Sequence, residues 1–245
     1  MWSMLWFPQT SNSCAKMTDE AAVAVIVAAG QGTRMGGKHN KLLLPLGTRT
    51  ILEFSLEPFL KHPRIRKIFL TVASQDRHIF EKIIPEEVIL VEGGRRRQDS
   101  VHHALLQILQ EKQVPELVLM HDGARPFCSI KLIDRILDAA FEHDAAIPVL
   151  PLVDTIRRVT EEKTEVVDRS KLFAVQTPQG FRTELILDAS KQALEKNWVV
   201  TDDASLVENS GHEVITVEGE PQNLKITTPD DLKQANWILN LMIHT

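Results

Sequence analysis

Short, continuous apolar runs alternate along this chain with longer stretches in which apolar residues recur every three or four positions. Residues 23–29 read Val-Ala-Val-Ile-Val-Ala-Ala, and similar runs recur at 68–73, 88–91, 117–120 and 146–150. Runs this brief suit strands buried on both faces of a parallel sheet. Between them, Leu52, Leu56 and Phe59 fall on one helical face, preceded by a capping box of Thr50 and Glu53. Val101, Leu105 and Ile108 make a second stripe, and Ile133, Ile136, Leu137 and Ala140 a third. This alternation predicts βαβ units in an α/β fold with a doubly wound, mostly parallel sheet. One segment breaks the rhythm. Two β-prone runs, 155–159 and 164–167, flank the charged turn Glu161-Glu162-Lys163 and predict a hairpin arm projecting from the sheet. A strand at 173–176, a helix near 183–195 and a helix starting at Thr201 and stopping before Gly211 follow. Thr228-Pro229 opens a last helix, with a cap residue ahead of Pro at the first helical position.

No internal repeat or low-complexity linker divides the 245 residues. The expected organisation is one domain over residues 22–245, including the arm at 154–168. It is preceded by a loosely ordered N-terminal extension, residues 1–21, in which Met17 is an alternative start. Residues 1–7 are apolar but too short and lack a basic flank, which argues against a signal peptide. No segment is long and apolar enough to cross a bilayer. A net charge of -5 gives no basic excess to suggest nucleic acid as a partner. The two cysteines, Cys14 and Cys128, have neither disulfide nor zinc-site spacing and read as reduced thiols of a cytoplasmic protein.

The candidate chemistry follows the strands. Directly after the first run comes Ala28-Ala29-Gly30-Gln31-Gly32-Thr33-Arg34-Met35-Gly36, where glycines let backbone N–H groups turn toward an anion. A dinucleotide fingerprint would need glycine at Met35, and a Walker loop through Gly32, Gly37 and Lys38 would need a hydroxyl at His39. An ordinary glycine-rich turn explains this loop nearly as well, until its company is counted. Arg34 and Lys41 flank it, and Gly93-Gly94-Arg95-Arg96-Arg97-Gln98-Asp99-Ser100 again follows a strand and opens a helix. Binding sites of open α/β sheets collect at these strand ends. At least Arg95 and Arg96 read as a solvated charge run, while Ser100 suits a helix start facing a ligand. Asp122, in His121-Asp122-Gly123-Ala124-Arg125-Pro126, stands at the end of a buried strand, where an acid is unfavourable unless it binds something. A ribose, a phosphate-bound Mg²⁺ or a pairing with Arg125 would each satisfy it.

Taken in order, Ala-Ala-Gly-x-Gly-x-Arg-Met, Lys41, His-Asp-x-Ala-Arg-Pro, Asp154-Thr155, Thr177-Pro178-Gln179, Thr201-Asp202 and Asn223-x-Lys225 resemble the 2-C-methyl-D-erythritol 4-phosphate cytidylyltransferase family over roughly residues 22–241. The resemblance implies a Rossmann-like nucleotidyltransferase sheet, CTP as co-substrate, Mg²⁺, a polyol phosphate acceptor and a homodimer. It implies that Arg34 and Lys41 stabilise the transition state on the triphosphate. Ala28, Ala29, Gly30, Gly32, Thr33, Gly94, Ser100, Asp122 and Gly123 would form the nucleotide site, with Asp122 near ribose and metal. Arg169, Lys225 and Thr155 would hold the sugar phosphate, joined by Arg125, Asp154 and Thr177, with the arm crossing into a partner subunit. Two departures are Gly123 in place of a frequent Ala and the loop Gly37-Lys38-His39-Asn40; neither replaces a side chain that carries an implied role. A ribitol 5-phosphate cytidylyltransferase and a nucleotide-binding regulator without activity share much of this pattern. Arg157-Arg158, Asp168-Arg169 and Thr201-Asp202-Asp203-Ala204-Ser205 favour the methylerythritol enzymes over the first. Retention of Arg34, Lys41, Arg169 and Lys225 speaks against the second.

Overall fold

A computed structural model describes residues 22–30 and 40–244. The expectation for the N-terminal extension lies outside these residues. Five of the predicted runs form strands: β1 (Ala22–Val27), β4 (Ile65–Val72), β5 (Val88–Glu92), β6 (Leu117–Asp122) and β7 (Ala145–Pro151). Pairings β1–β4, β1–β6 and β4–β5 are parallel. Helices α1 (Ile51–Leu60), α3 (Arg97–Ile108) and α4 (Ile130–His143) carry the three predicted stripes; α2 (Arg77–Phe80) is a single turn. The capping box at α1 is formed as expected, with Thr50 Oγ1 accepting from Glu53 N and Glu53 accepting from Thr50 N.

The alternation of β1 shows why the sheet is covered on both faces. Ala22, Ala24 and Ile26 pack with α1, α4 and α7 (Pro229–His244), whereas Val23 and Val25 pack with α3, α5 (Thr183–Glu195) and α6 (Ala204–Asn209). Leu117 and Leu119 of β6 join the first layer, and Val118 and Met120 the second. Successive side chains of a strand point to opposite faces, so an unbroken apolar run fills two cores at once.

Three features depart from the sequence expectation. First, β11 (Gln179–Arg182) inserts antiparallel between β6 and β7. Val149 lies opposite both Val175 of β10 (Phe173–Val175) and Glu218 of β12 (Ile215–Glu218). Ala146 likewise lies opposite both Gly180 and Ile215. Strands β10 and β11 therefore follow one edge of β7 in succession, and β12 runs parallel along the other. Second, a small ladder joins β2 (Pro45–Leu46) to β3 (Arg49–Thr50). Third, the helix expected from Thr201 begins at Ala204, because Asp202 Oδ1 accepts from Ser205 N and Gln179 Oε1 accepts from the N–H groups of Asp203 and Ala204. These bonds use residues 201–203 as a cap rather than as a first turn.

The arm forms as read: β8 (Ile156–Val159) pairs antiparallel with β9 (Thr164–Val167). It leaves between β7 and β10. Since β11 is antiparallel to both β6 and β7, those two strands run the same way, and the arm emerges at the end of the sheet where β6 also finishes. Among the described residues no helix is long and apolar enough to cross a membrane.

Packing of α4 over β11 requires a residue without a side chain. A Cβ at Gly180 would stand 2.6 Å from Ile136 Cγ2 and 3.1 Å from Ala140 Cβ. Gly180→Ala is expected to destabilise the domain by about 1–3 kcal/mol through overpacking, read as a lower urea midpoint at unchanged slope. An unchanged midpoint would show that α4 moves aside freely.

Candidate active site

A cleft of about 290 Å³ opens where β1 and β6 end and the loop after β5 enters α3. Its lining includes Ala28, Ala29 and Gly30 after β1, Lys41, Gly94, Arg95, Arg96, Arg97 and Ser100, then Asp122 and Lys225. Among the described residues, five basic side chains thus border it with one acidic residue, Asp122. That balance suits an anionic ligand.

Asp122 is the pivot of this wall. Its carboxylate lies 2.8 Å from Lys225 Nζ, 3.2 Å from Arg97 Nε and 3.6 Å from Arg125 Nε. Burial pushes its pKa up, but the charges of Arg97 and Lys225 outweigh burial and hold it below the usual carboxylate range. Arg97 is itself shared: Nη2 lies 2.7 Å from the buried Asp203 Oδ2. Burial acts to lower the Arg97 pKa, and the two carboxylates raise it above its ordinary value. Of the readings of Asp122 made from sequence, the pairing with Arg125 is present, and the residue also lines the cleft.

Lys225 reaches this point because its loop is tied down from below. Arg125 Nη1 donates to Asn223 O at 2.8 Å, Gln176 Nε2 donates to the carbonyls of Glu220 and Asn223, and Ile226 N donates to Ala124 O. Lys41 sits opposite, with Nζ donating to Ile226 O at 2.7 Å. Its backbone is fixed by Asn40, whose amide donates to Ala28 O and Asp76 Oδ2 and whose oxygen accepts from Leu42 N. Asn40, read from sequence as a departure without a role, is the residue that anchors Lys41. At the third side, Ser100 Oγ accepts from Gly94 N at 2.9 Å and donates to Arg96 O. A Cβ on Gly94 would fall 2.3 Å from Asp99 Cβ, so this tight entry into α3 requires glycine.

The remaining sequence candidates divide into three groups. Gly32, Thr33 and Arg34 lie outside the described residues. Gly123, Arg125 and Thr177 are buried behind the cleft wall: Gly123 O accepts from Ser55 Oγ, and Thr177 Oγ1 accepts from Asp122 N. Asp154, Thr155 and Arg169 are exposed on the arm and its base, away from the cleft of this chain. Arg95 and Arg96 are exposed as expected, yet they form the rim, and Arg96 pairs with Asp99 at 2.8 Å. Sequence reasoning missed Arg97, Asp203 and Asn40. The one available signal was position, because Arg97 is the arginine of its run that coincides with the helix start.

His121, next to Asp122, is fully buried, and burial pushes its pKa down to about 4. An unfolded chain takes up a proton near its ordinary value of 6.5, whereas the folded chain does not until about 4. Stability is therefore full above 6.5 and lost as pH falls through that window, by on the order of 3 kcal/mol. The Asp122 contribution is lost only below 3.8, outside the window. Urea unfolding at pH 7.5 and 4.5 is expected to show a smaller decline for His121→Gln than for the wild type; equal declines would remove His121 as the cause. His62, also lowered by burial, contributes in both proteins and cancels.

The profile of the 2-C-methyl-D-erythritol 4-phosphate cytidylyltransferase family matches residues 22–241. A Bacillus cytotoxicus protein of that name is 44% identical over 223 residues, which cover 89% of this chain and 97% of the relative. Among solved structures, the 2-C-methyl-D-erythritol 4-phosphate cytidylyltransferase of Thermus thermophilus superimposes with a TM-score of 0.75 at 35% identity, covering 89% of this chain and 98% of that one. The 4-diphosphocytidyl-2C-methyl-D-erythritol synthase of Anaerococcus prevotii gives a TM-score of 0.77 at 30% identity, covering 89% of this chain and 96% of that one. With its match across nearly the whole described region, the chain belongs to the 2-C-methyl-D-erythritol 4-phosphate cytidylyltransferase family.

Proposed function

We propose that this protein transfers the cytidylyl group of CTP to 2-C-methyl-D-erythritol 4-phosphate and releases pyrophosphate, a step of non-mevalonate isoprenoid precursor synthesis. Family membership names the reaction. The observation that carries it is the cleft at the strand ends, where Lys225 and Arg97 meet at the Asp122 carboxylate and Lys41 lines the same cleft.

The charge balance explains how such a site works. A phosphate monoester is already ionised near neutral pH, so its oxygen attacks without a general base. The obstacle is repulsion between that anion and the triphosphate. Fixed cations hold both in line and stabilise the charge that develops on the α-phosphate. Lys41, with Arg34, serves the triphosphate side. Lys225, with Arg169, serves the acceptor side, the arginine through its bidentate fork. Ser100 and Gly94 shape the pocket for the base. Mg²⁺ fits this donor set as a metal carried by the triphosphate, because the cleft offers one hard carboxylate, Asp122, and Mg²⁺ ordinarily takes one or two carboxylates with phosphates and water. When bound, it would neutralise phosphate charge. The buried thiol of Cys128 is compatible with a reducing, cytoplasmic setting.

A homodimer joined through the arm follows from the same reading. Val159 and Val166 share one face of the hairpin and are 71% and 61% exposed, and Val153 at its root is 82% exposed. A two-stranded hairpin is at best marginally stable alone, so these exposed valines call for a partner. Arg169 and Thr155 would then complete the cleft of the other subunit. Sedimentation at assay concentration is expected to give a dimer; a fully active monomer would rule this out.

Turnover of CTP with each polyol phosphate tests the function. 2-C-methyl-D-erythritol 4-phosphate should be consumed, with activity lost on chelation of Mg²⁺; preference for ribitol 5-phosphate, or no turnover, would establish one of the two rival readings instead. Lys41→Ala and Arg34→Ala should lower kcat by roughly 3–4 kcal/mol of transition-state stabilisation. Arg169→Ala should instead weaken saturation by the polyol phosphate and slow attack while calorimetric CTP binding stays near wild type, and Arg169→Lys should not restore it. Loss of CTP binding in Arg169→Ala, with polyol phosphate affinity kept, would reverse the assignment of the two halves.

A further inference from the structure

Thr177 lies between β10 and β11, opposite the end of β6. The ladder between β11 and β6 finishes at Gln179 and Met120. Two residues on, where the next pairing would fall, the N–H of Asp122 is met by a side chain: Thr177 Oγ1, at 3.0 Å. The same oxygen stands 3.1 Å from His121 Nδ1, and His121 Nε2 stands 3.2 Å from Arg125 O.

These contacts assign every proton. A carbonyl oxygen only accepts, so Nε2 carries the imidazole hydrogen. A hydrogen on Nδ1 as well would point at a hydroxyl oxygen that already accepts from Asp122 N–H and would leave that buried hydroxyl's own hydrogen without a described acceptor, so Nδ1 is the acceptor. The Thr177 hydroxyl therefore donates to Nδ1 and accepts from Asp122 N–H. Its one hydrogen is used inside the protein, its residue is buried, and it is absent from the cleft lining. The imidazole is held in turn against Phe59, with ring centroids 4.9 Å apart. Asn223 Nδ2 donates to Thr177 O at 2.8 Å, which ties the same residue to the loop that carries Lys225.

We propose that Thr177 and His121 are positioning residues for Asp122: the chain Asp122 N–H to Thr177 Oγ1–H to His121 Nδ1, closed by Nε2–H on Arg125 O, sets where the Asp122 carboxylate points. Its kinetic consequence rests on the cytidylyl transfer reading given above. The role differs from the direct substrate contact that the sequence resemblance implied for Thr177. A contact to the polyol phosphate would serve one substrate. A misaimed Asp122 disturbs both, because its carboxylate fixes Lys225 on one side and Arg97 on the other.

The test uses the full-length protein. Thr177→Val keeps the shape and removes the hydroxyl; it is expected to lower kcat/KM tenfold or more for CTP and for the polyol phosphate, by similar factors. Thr177→Ser should recover most of that loss. In a His121→Gln background, Thr177→Val should add little, since one chain is cut twice. A loss confined to polyol phosphate saturation with intact CTP affinity, or a Thr177→Ser variant as impaired as Thr177→Val, would overturn the proposal. Nitrogen-15 NMR of the wild-type imidazoles at pH 7.5 is independent of variant folding: His121 should show the Nε2–H tautomer, and an Nδ1–H or doubly protonated ring would overturn the hydrogen-bond chain. Should the wild type fail to turn over CTP with the polyol phosphate, the functional reading falls, while the tautomer still decides the hydrogen-bond chain.

Discussion

The arrangement of the cleft depends on one carboxylate placed where a buried strand ends. Removing Asp122 from water would be strongly unfavourable if it stood alone, and burial by itself would drive it toward the neutral acid. Three cations prevent this: Lys225 at 2.8 Å, Arg97 at 3.2 Å and Arg125 at 3.6 Å. They come from different parts of the chain: the loop after β12, the start of α3 and the turn after β6. A buried ion pair contributes little net stability against a well-packed apolar alternative, but breaking one is severe because it strands the remaining charges. The cluster therefore works as a fixing point more than as a source of stability. It draws three walls of the cleft to one place and connects them, through Arg97 and Asp203, to the cap of α6.

This construction bears on how an anion would be received. The cations are organised before any ligand enters, so little reorganisation is needed when negative charge develops. Arg125 and Arg97 have hydrogen-bonding partners deeper in the protein that hold them in place. Lys225, whose side chain is 38% exposed, is the member of the cluster placed at the opening. A phosphate arriving there meets a point charge on a flexible stem backed by a rigid arginine pair, and the point charge can shift toward the ligand without dismantling the wall.

Much of this was legible in the sequence, for reasons that differ by element. Continuous apolar runs and striped helices reported β1, β4, β5, β6, β7 and the α1, α3 and α4 faces, because burial on two sides of a sheet leaves few other solutions. The strand β11 was not legible. Gln179-Gly180-Phe181-Arg182 has neither an apolar run nor strict alternation, and it is a strand because β6 and β7 leave a gap that only an extended segment with a glycine under α4 fills. Tertiary context decided it, as often happens for strands. Among the residues that line the cleft, Lys41, Asp122 and Lys225 stood out in the sequence through ordered motifs, and Gly94 and Ser100 through a loop that follows a strand and opens a helix. Arg97 was hidden among three adjacent arginines, since a charge run alone does not say which member turns inward. Asn40 was passed over because its role is to hold its neighbour, and a backbone anchor has no sequence signature beyond a polar residue in a loop.

The arm supplies the last step. Among the described residues, the arginines beside Lys225, Arg97 and Arg125, are committed to Asp122, Asp203 and Asn223. Arg169 is exposed at the base of a hairpin that leaves the sheet at the same end as the cleft, and the hairpin carries uncovered valines. In the proposed dimer, the arm would carry this arginine to the cleft of a second copy. A two-fold pairing of that kind would serve both copies at once, since each would give an arm and receive one. On the proposed dimer, the break in the βα rhythm that first marked residues 154–168 would be the sequence trace of a site divided between two subunits.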